Sequence, residues 1–159
     1  MLKQISFADV LLDSAKEVFE TMIFMSLEKS PEAAVVIDGS ALIGTITFKG
    51  NMEGCFAIEC GMDCAKTISM NMLGMDSEDE VGEDEVCDAI GEVANMVLGS
   101  IKTRIQDEVG DIQVSIPSVI SGYELRNSLG EDAVKLILNL SLEGQYNVQM
   151  SLLYRASKG

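Results

Sequence analysis

Between Val134 and Leu152 the chain alternates clearly. Val134, Leu136, Leu138, Leu140 and Leu142 stand against Lys135, Asn139, Ser141 and Glu143, and Tyr146, Val148, Met150 and Leu152 stand against Gln145, Asn147, Gln149 and Ser151. A period of two puts apolar side chains on one face of a strand and polar ones on the other. Two such runs form half-buried antiparallel strands whose apolar face needs a partner layer. Glu143-Gly144 joins them as a tight turn. This pair of strands limits the chain to folds in which a second layer covers one side of an antiparallel sheet.

The remaining segments supply both layers. Strand-like runs cover Ala33 to Asp38, Ala41 to Lys49 and Glu53 to Cys60, with turn signals at Asp38-Gly39 and Gly50-Asn51. Ile112, Val114 and Ile116 alternate with Gln113 and Ser115, and Pro117 and Ser121-Gly122 close that run. Residues 8 to 27 read as an amphipathic helix, with Leu11, Leu12, Ala15, Val18, Phe19, Met22 and Ile23 at helical spacing and Ser30-Pro31 as its stop. A short helix is expected over Asp63 to Leu73, and the longest over Asp84 to Asp107. The 159 residues fit a single domain, 1–159. The expected fold is α+β, with a sheet of about six strands and two long helices packed on one face. The halves echo each other: Glu53-Gly54-Cys55-Phe56-Ala57-Ile58 resembles Glu143-Gly144-Gln145-Tyr146-Asn147-Val148, and Glu17-Val18-Phe19-Glu20 resembles Glu92-Val93-Ala94-Asn95. That pattern suggests a pseudo-twofold domain.

Charge and composition narrow the chemistry. Eleven Lys and Arg face 26 Asp and Glu, a net charge of −15, which repels phosphate backbones and anionic lipid. Neither nucleic acid nor a membrane is an expected partner. There is no apolar run of spanning length, and the N-terminal residues lack the apolar core and cleavage site of a signal peptide, so the cytoplasm is the expected location. The sequence contains no histidine, which removes Ser-His and Cys-His nucleophile pairs. Cys55, Cys60, Cys64 and Cys87 form no CxxC pair and read as reduced, mostly packed thiols; no metal site is expected. Cys60 and Cys64 fall near a strand-to-helix junction. Residues 76 to 85 carry seven carboxylates and read as a solvated loop entering a helix N-terminus, where negative charge suits the dipole.

On the longest helix, Val86, Ile90, Val93, Val97, Ile101 and Ile105 form one apolar stripe. Asp88, Glu92, Asn95 and Gly99 line up on nearly the opposite side. Glu92 and Asn95 are three residues apart and therefore surface neighbours. Gly99 gives up about 1 kcal/mol of helix propensity relative to alanine, a loss explained if another molecule approaches the backbone there. An exposed Glu-x-x-Asn is common, and by itself it also fits a face that simply meets water.

The segment Asp88-Ala89-Ile90-Gly91-Glu92-Val93-Ala94-Asn95, followed by Pro117, resembles the signature of the CheC/CheX/FliY family of chemotaxis phosphatases: Asp or Ser, three residues, Glu, two residues, Asn, and a later Pro. Asn51-Met52-Glu53-Gly54-Cys55 resembles that family's glycine turn, and Ile116 to Gly122 its segment after the active helix. The resemblance implies a CheC-like fold and hydrolysis of the phosphoryl-aspartate on a CheY-like response regulator. Asn95 would orient the attacking water and Glu92 would pair with the receiver's lysine, a general-base role for Glu92 being the rival. Asp88 and Gly99 would border the partner surface. The chain would need no cofactor of its own, Mg²⁺ belonging to the receiver, and it would form a homodimer. Where a second site would need Glu and Asn, the first helix has Glu17 and Glu20, which favours the single-site, CheX-type branch. The competing readings are a non-catalytic receiver-binding module, a structural domain of the flagellar-switch type, and a metal hydrolase built on the acidic stretch.

Overall fold

The computed structural model describes residues 6–31, 41–75, 81–121 and 133–157. Helix α1 runs Phe7–Val18 and opens with Ser6, whose hydroxyl accepts from the Asp9 amide. It passes into a single π-helical turn, Phe19–Ile23, which ends at Phe24 in the left-handed region. The helix expected to reach residue 27 therefore stops earlier. A short strand, β1 (Leu27–Lys29), follows where helix was expected. Strands β2 (Ala41–Gly50) and β3 (Met52–Gly61) form a hairpin, followed by α2 (Met62–Leu73) and α3 (Glu83–Val109). The second half continues with β4 (Ile112–Val114), β5 (Ser118–Ser121), β6 (Val134–Leu142) and β7 (Tyr146–Ala156). The strand expected over Ala33 to Asp38, its Asp38-Gly39 turn and the acidic residues 76 to 80 lie outside the described residues.

Among the described residues the sheet has seven strands, all its pairings antiparallel, in the order β1-β6-β7-β3-β2-β4, with β5 also on β2. The order is symmetric about the β7–β3 pairing. Each half contributes a central hairpin, and each sends its first short strand, β1 or β4, across to the other half's hairpin. This exchange is the structural form of the pseudo-twofold. The Glu-Gly echo does not map onto it evenly, because Glu143 and Gly144 form the β6–β7 turn, both at positive φ, whereas Glu53 and Gly54 sit inside β3.

The inward face of the sheet carries Leu42, Ile46, Phe48, Met52, Phe56, Ile58, Leu138, Leu140, Val148, Met150 and Leu152, all buried in one core with the helices. The opposite face is more polar, with Thr45, Thr47, Asn139 and Gln149, yet Ile43, Ala57 and Leu153 are also buried there. The expected α3 stripe is buried in full and is wider than the spacing implied, because Ala89, Gly91, Ala94 and Leu98 are buried as well. The outer half of α3 is anchored by the β2–β3 turn: the Asn51 side-chain amide donates to the Val109 carbonyl at 3.0 Å.

Two close approaches fix the first half of α3. Beneath it, Gly44 of β2 leaves room for Ile90; a Cβ on Gly44 would stand 3.0 Å from the Ile90 Cγ2 and 3.4 Å from its carbonyl oxygen. Beside it, buried Gly91 meets β5 and the loop that precedes it; a Cβ there would lie 3.4 Å from Val119 and 3.7 Å from Pro117. A larger side chain at position 44 must push the helix off the sheet. Gly44→Val is expected to cost about 1–3 kcal/mol in urea unfolding, and an unchanged unfolding midpoint would show that α3 is not seated there.

Candidate functional site

Helix α3 begins at Gly82 without a side-chain cap, and Glu83, Asp84 and Glu85 fill its first turn, where carboxylates favour the helix dipole. From there, about 100° per residue carries Asp88, Glu92, Asn95 and Gly99 within an arc of roughly 60° on the face opposite the core. All four are exposed. Among the described residues, Asp88, Glu92 and Asn95 make no hydrogen bond or ion pair within the chain. A Cβ added to Gly99 would meet nothing within 4 Å, so open space lies over that backbone.

The α1 counterpart is arranged differently. Glu17 receives the Arg104 guanidinium at 2.7 Å and the Ser100 hydroxyl at 3.3 Å, both from α3. Its carboxylate is thus held by the helix beside it. Glu20 falls in the π-helical turn, where the backbone no longer keeps the three-residue spacing of an α-helix. Only α3 presents the Glu and Asn side by side on a regular helix with nothing drawing either of them back into the protein.

A groove of about 500 Å³ runs along the same turn of α3, lined by Cys87, Asp88, Gly91, Glu92, Ile116, Pro117 and Val119. Asn95 stands outside it, one turn further along the helix. The loop from Ser115 to Pro117 forms the other wall. Ser115 is tied to β2 twice, its amide donating to the Thr47 carbonyl at 2.9 Å and its hydroxyl accepting from the Thr47 amide at 3.0 Å. Pro117, the later Pro of the resemblance, packs on Gly91, so the two form one contact between loop and helix. Sequence reading missed the wall itself. Its signals were a glycine in mid-helix at 91 and an isoleucine immediately before the proline.

The thiols offer little nucleophilic chemistry. Burial, helped by Asp84, Asp88 and Glu83, pushes the Cys87 thiol above its ordinary range. The neighbouring Cys64 thiol, together with burial, holds Cys60 well above that range. Cys55 is raised by burial. Among the described residues, no group of three or more His, Cys, Asp or Glu side chains comes together as a metal site, and no helix is long and apolar enough to cross a membrane.

Comparison with known proteins places this geometry in a family. No curated protein matches the chain in sequence. The structure is similar to the chemotaxis protein CheX of Vibrio vulnificus, with a TM-score of 0.77 and 28% identity over 95% of this chain and 97% of that one. It is similar in fold to CheX of Borrelia burgdorferi, whose structure is a CheX–CheY–BeF₃–Mg²⁺ complex, with a TM-score of 0.76, 18% identity, and coverage of 95% and 99%. The middle domain of FliM from H. pylori shares the fold more distantly, with a TM-score of 0.60 and 12% identity over 93% of this chain and 88% of that one. The family described as chemotaxis phosphatase CheX matches residues 42–139, more than half of the chain, so this protein belongs to the CheX family.

Proposed function

We propose that the chain hydrolyses the phosphoryl-aspartate of a CheY-like response regulator, with α3 laid against the receiver's phosphorylation pocket. The observation that carries this reading is the exposed pair Glu92 and Asn95, adjacent on one helix and unengaged within their own chain. Membership of a phosphatase family and the likeness to a CheX solved together with CheY support it.

An acyl phosphate is already activated, and Mg²⁺ and a lysine belong to the receiver. Phosphoryl transfer of this kind asks mainly for positioning and charge stabilisation. Asn95 supplies the positioning. Its carboxamide is neutral and both donates and accepts hydrogen bonds, so it can hold a water in line with the P–O bond without repelling the phosphoryl oxygens. A carboxylate in its place would repel them, which is why Glu20 does not substitute. Glu92 supplies the anchor, a charge-assisted contact to the receiver's lysine that sets the register of Asn95. Asp88 adds a second carboxylate on the same wall, and open Gly99 lets the partner's backbone come close. The chain acts in the cytoplasm as a homodimer in this reading. The competing non-catalytic reading draws on the shared fold with a FliM domain, and retention of a presented Glu/Asn pair argues against it.

Asn95→Ala is expected to slow phosphate release from a phosphorylated receiver by about 10²-fold while binding survives; full activity in that variant would refute the assignment. Glu92→Ala is expected to weaken receiver binding by roughly tenfold or more, and turnover with it. Cys87→Ser keeps its turnover if the chemistry is not a thiol's. Gly99→Ala separates stability from function: it adds up to about 1 kcal/mol to the helix, read as a higher unfolding midpoint, and it raises KM for the receiver. A Gly99→Ala variant with unchanged KM removes that position from the contact surface.

A further inference from the structure

Ile116 is 88% exposed, the most exposed large hydrophobic side chain among the described residues. A single surface isoleucine needs no explanation in itself. This one is held on both sides. Before it, Ser115 is fixed to Thr47 by two hydrogen bonds, and the Ser115 hydroxyl also approaches the Ile116 carbonyl at 3.3 Å. After it, Pro117 rests on Gly91, and the Ser118 carbonyl accepts from Thr45. The backbone around Ile116 is therefore set before any partner arrives, which removes much of the ordering cost of binding.

The side chain stands on the wall of the groove that also holds Asp88 and Glu92, with Pro117 and Val119 as its apolar neighbours. Among the described residues, no cation lines that groove. An occupant must bring positive charge toward two carboxylates and an apolar recess toward Ile116. We propose that Ile116 is the apolar anchor of the receiver contact, docking into a recess beside the receiver's lysine and fixing which receivers the phosphatase accepts. This rests on the phosphatase reading above. Ile116 touches no reacting atom; it positions the partner so that Glu92 and Asn95 reach theirs.

The test is steady-state kinetics of Ile116→Ala and Ile116→Val on a phosphorylated CheY-like receiver, with unfolding midpoints and sedimentation of each variant. Ile116→Ala is expected to raise KM by about tenfold with kcat and the unfolding midpoint unchanged, and Ile116→Val to stay close to wild type. A KM within twofold of wild type overturns the proposal while leaving the phosphatase reading intact. So does a variant that dissociates a dimer at unchanged KM, which would assign Ile116 to a second copy of this chain. Wild-type protein that releases no phosphate from any receiver overturns both, and is told apart by that result alone.

Discussion

The structure depends on how closely one turn of α3 is gripped. Ile90 enters the space left by Gly44 in the sheet, and Gly91 admits Pro117 and Val119 from the side. Both contacts involve positions where a side chain would have to move a neighbour. With its inner side locked in this way, the turn can carry Asp88 and Glu92 on its outer side without any bond of their own to hold them. The backbone beneath them sets their direction.

That arrangement separates a packed side from a presented side within one helix. The buried stripe from Val86 to Val109 contributes the packing, and the opposite face contributes almost nothing to it. The exposed face is then free to carry a neutral amide, two carboxylates and a glycine that favours no helix. Helix α1 shows the contrast. Its Glu17 is joined to Arg104 and Ser100, a half-exposed ion pair of small energetic value, but one that commits the carboxylate to the neighbouring helix. Of two helices related by the fold's internal symmetry, one commits its carboxylate to its own chain and the other leaves its Glu and Asn open to solvent.

Much of this was legible in the residues. Period-two alternation set β6 and β7, and the apolar stripe set α3 to within about two residues at either end. The four outward positions of α3 followed from the same stripe by exclusion. What escaped has physical reasons. The π-helical turn at Phe19–Ile23 keeps an apolar pattern close to helical spacing, so the early end of the helix left no mark. Strands β1 and β5 span three and four residues, too short to show a period, and each exists because a hairpin of the sheet offers it an edge. The grip of Pro117 on Gly91 joins residues distant in sequence, so neither residue alone announced it. Ile116 looked like the last inward residue of a strand; β4 ends at Val114, and Ile116 projects into open space instead.

The central claim is that the exposed face of α3 turns over phosphorylated receiver rather than merely holding it. The most direct measurement is the time course of phosphate release from an excess of phosphorylated CheY-like receiver with a small fraction of this chain added. The account predicts many phosphates released per chain, at a rate proportional to chain concentration. Release that stays at the receiver's own rate, or protection of one phosphoryl group per bound chain, would contradict it.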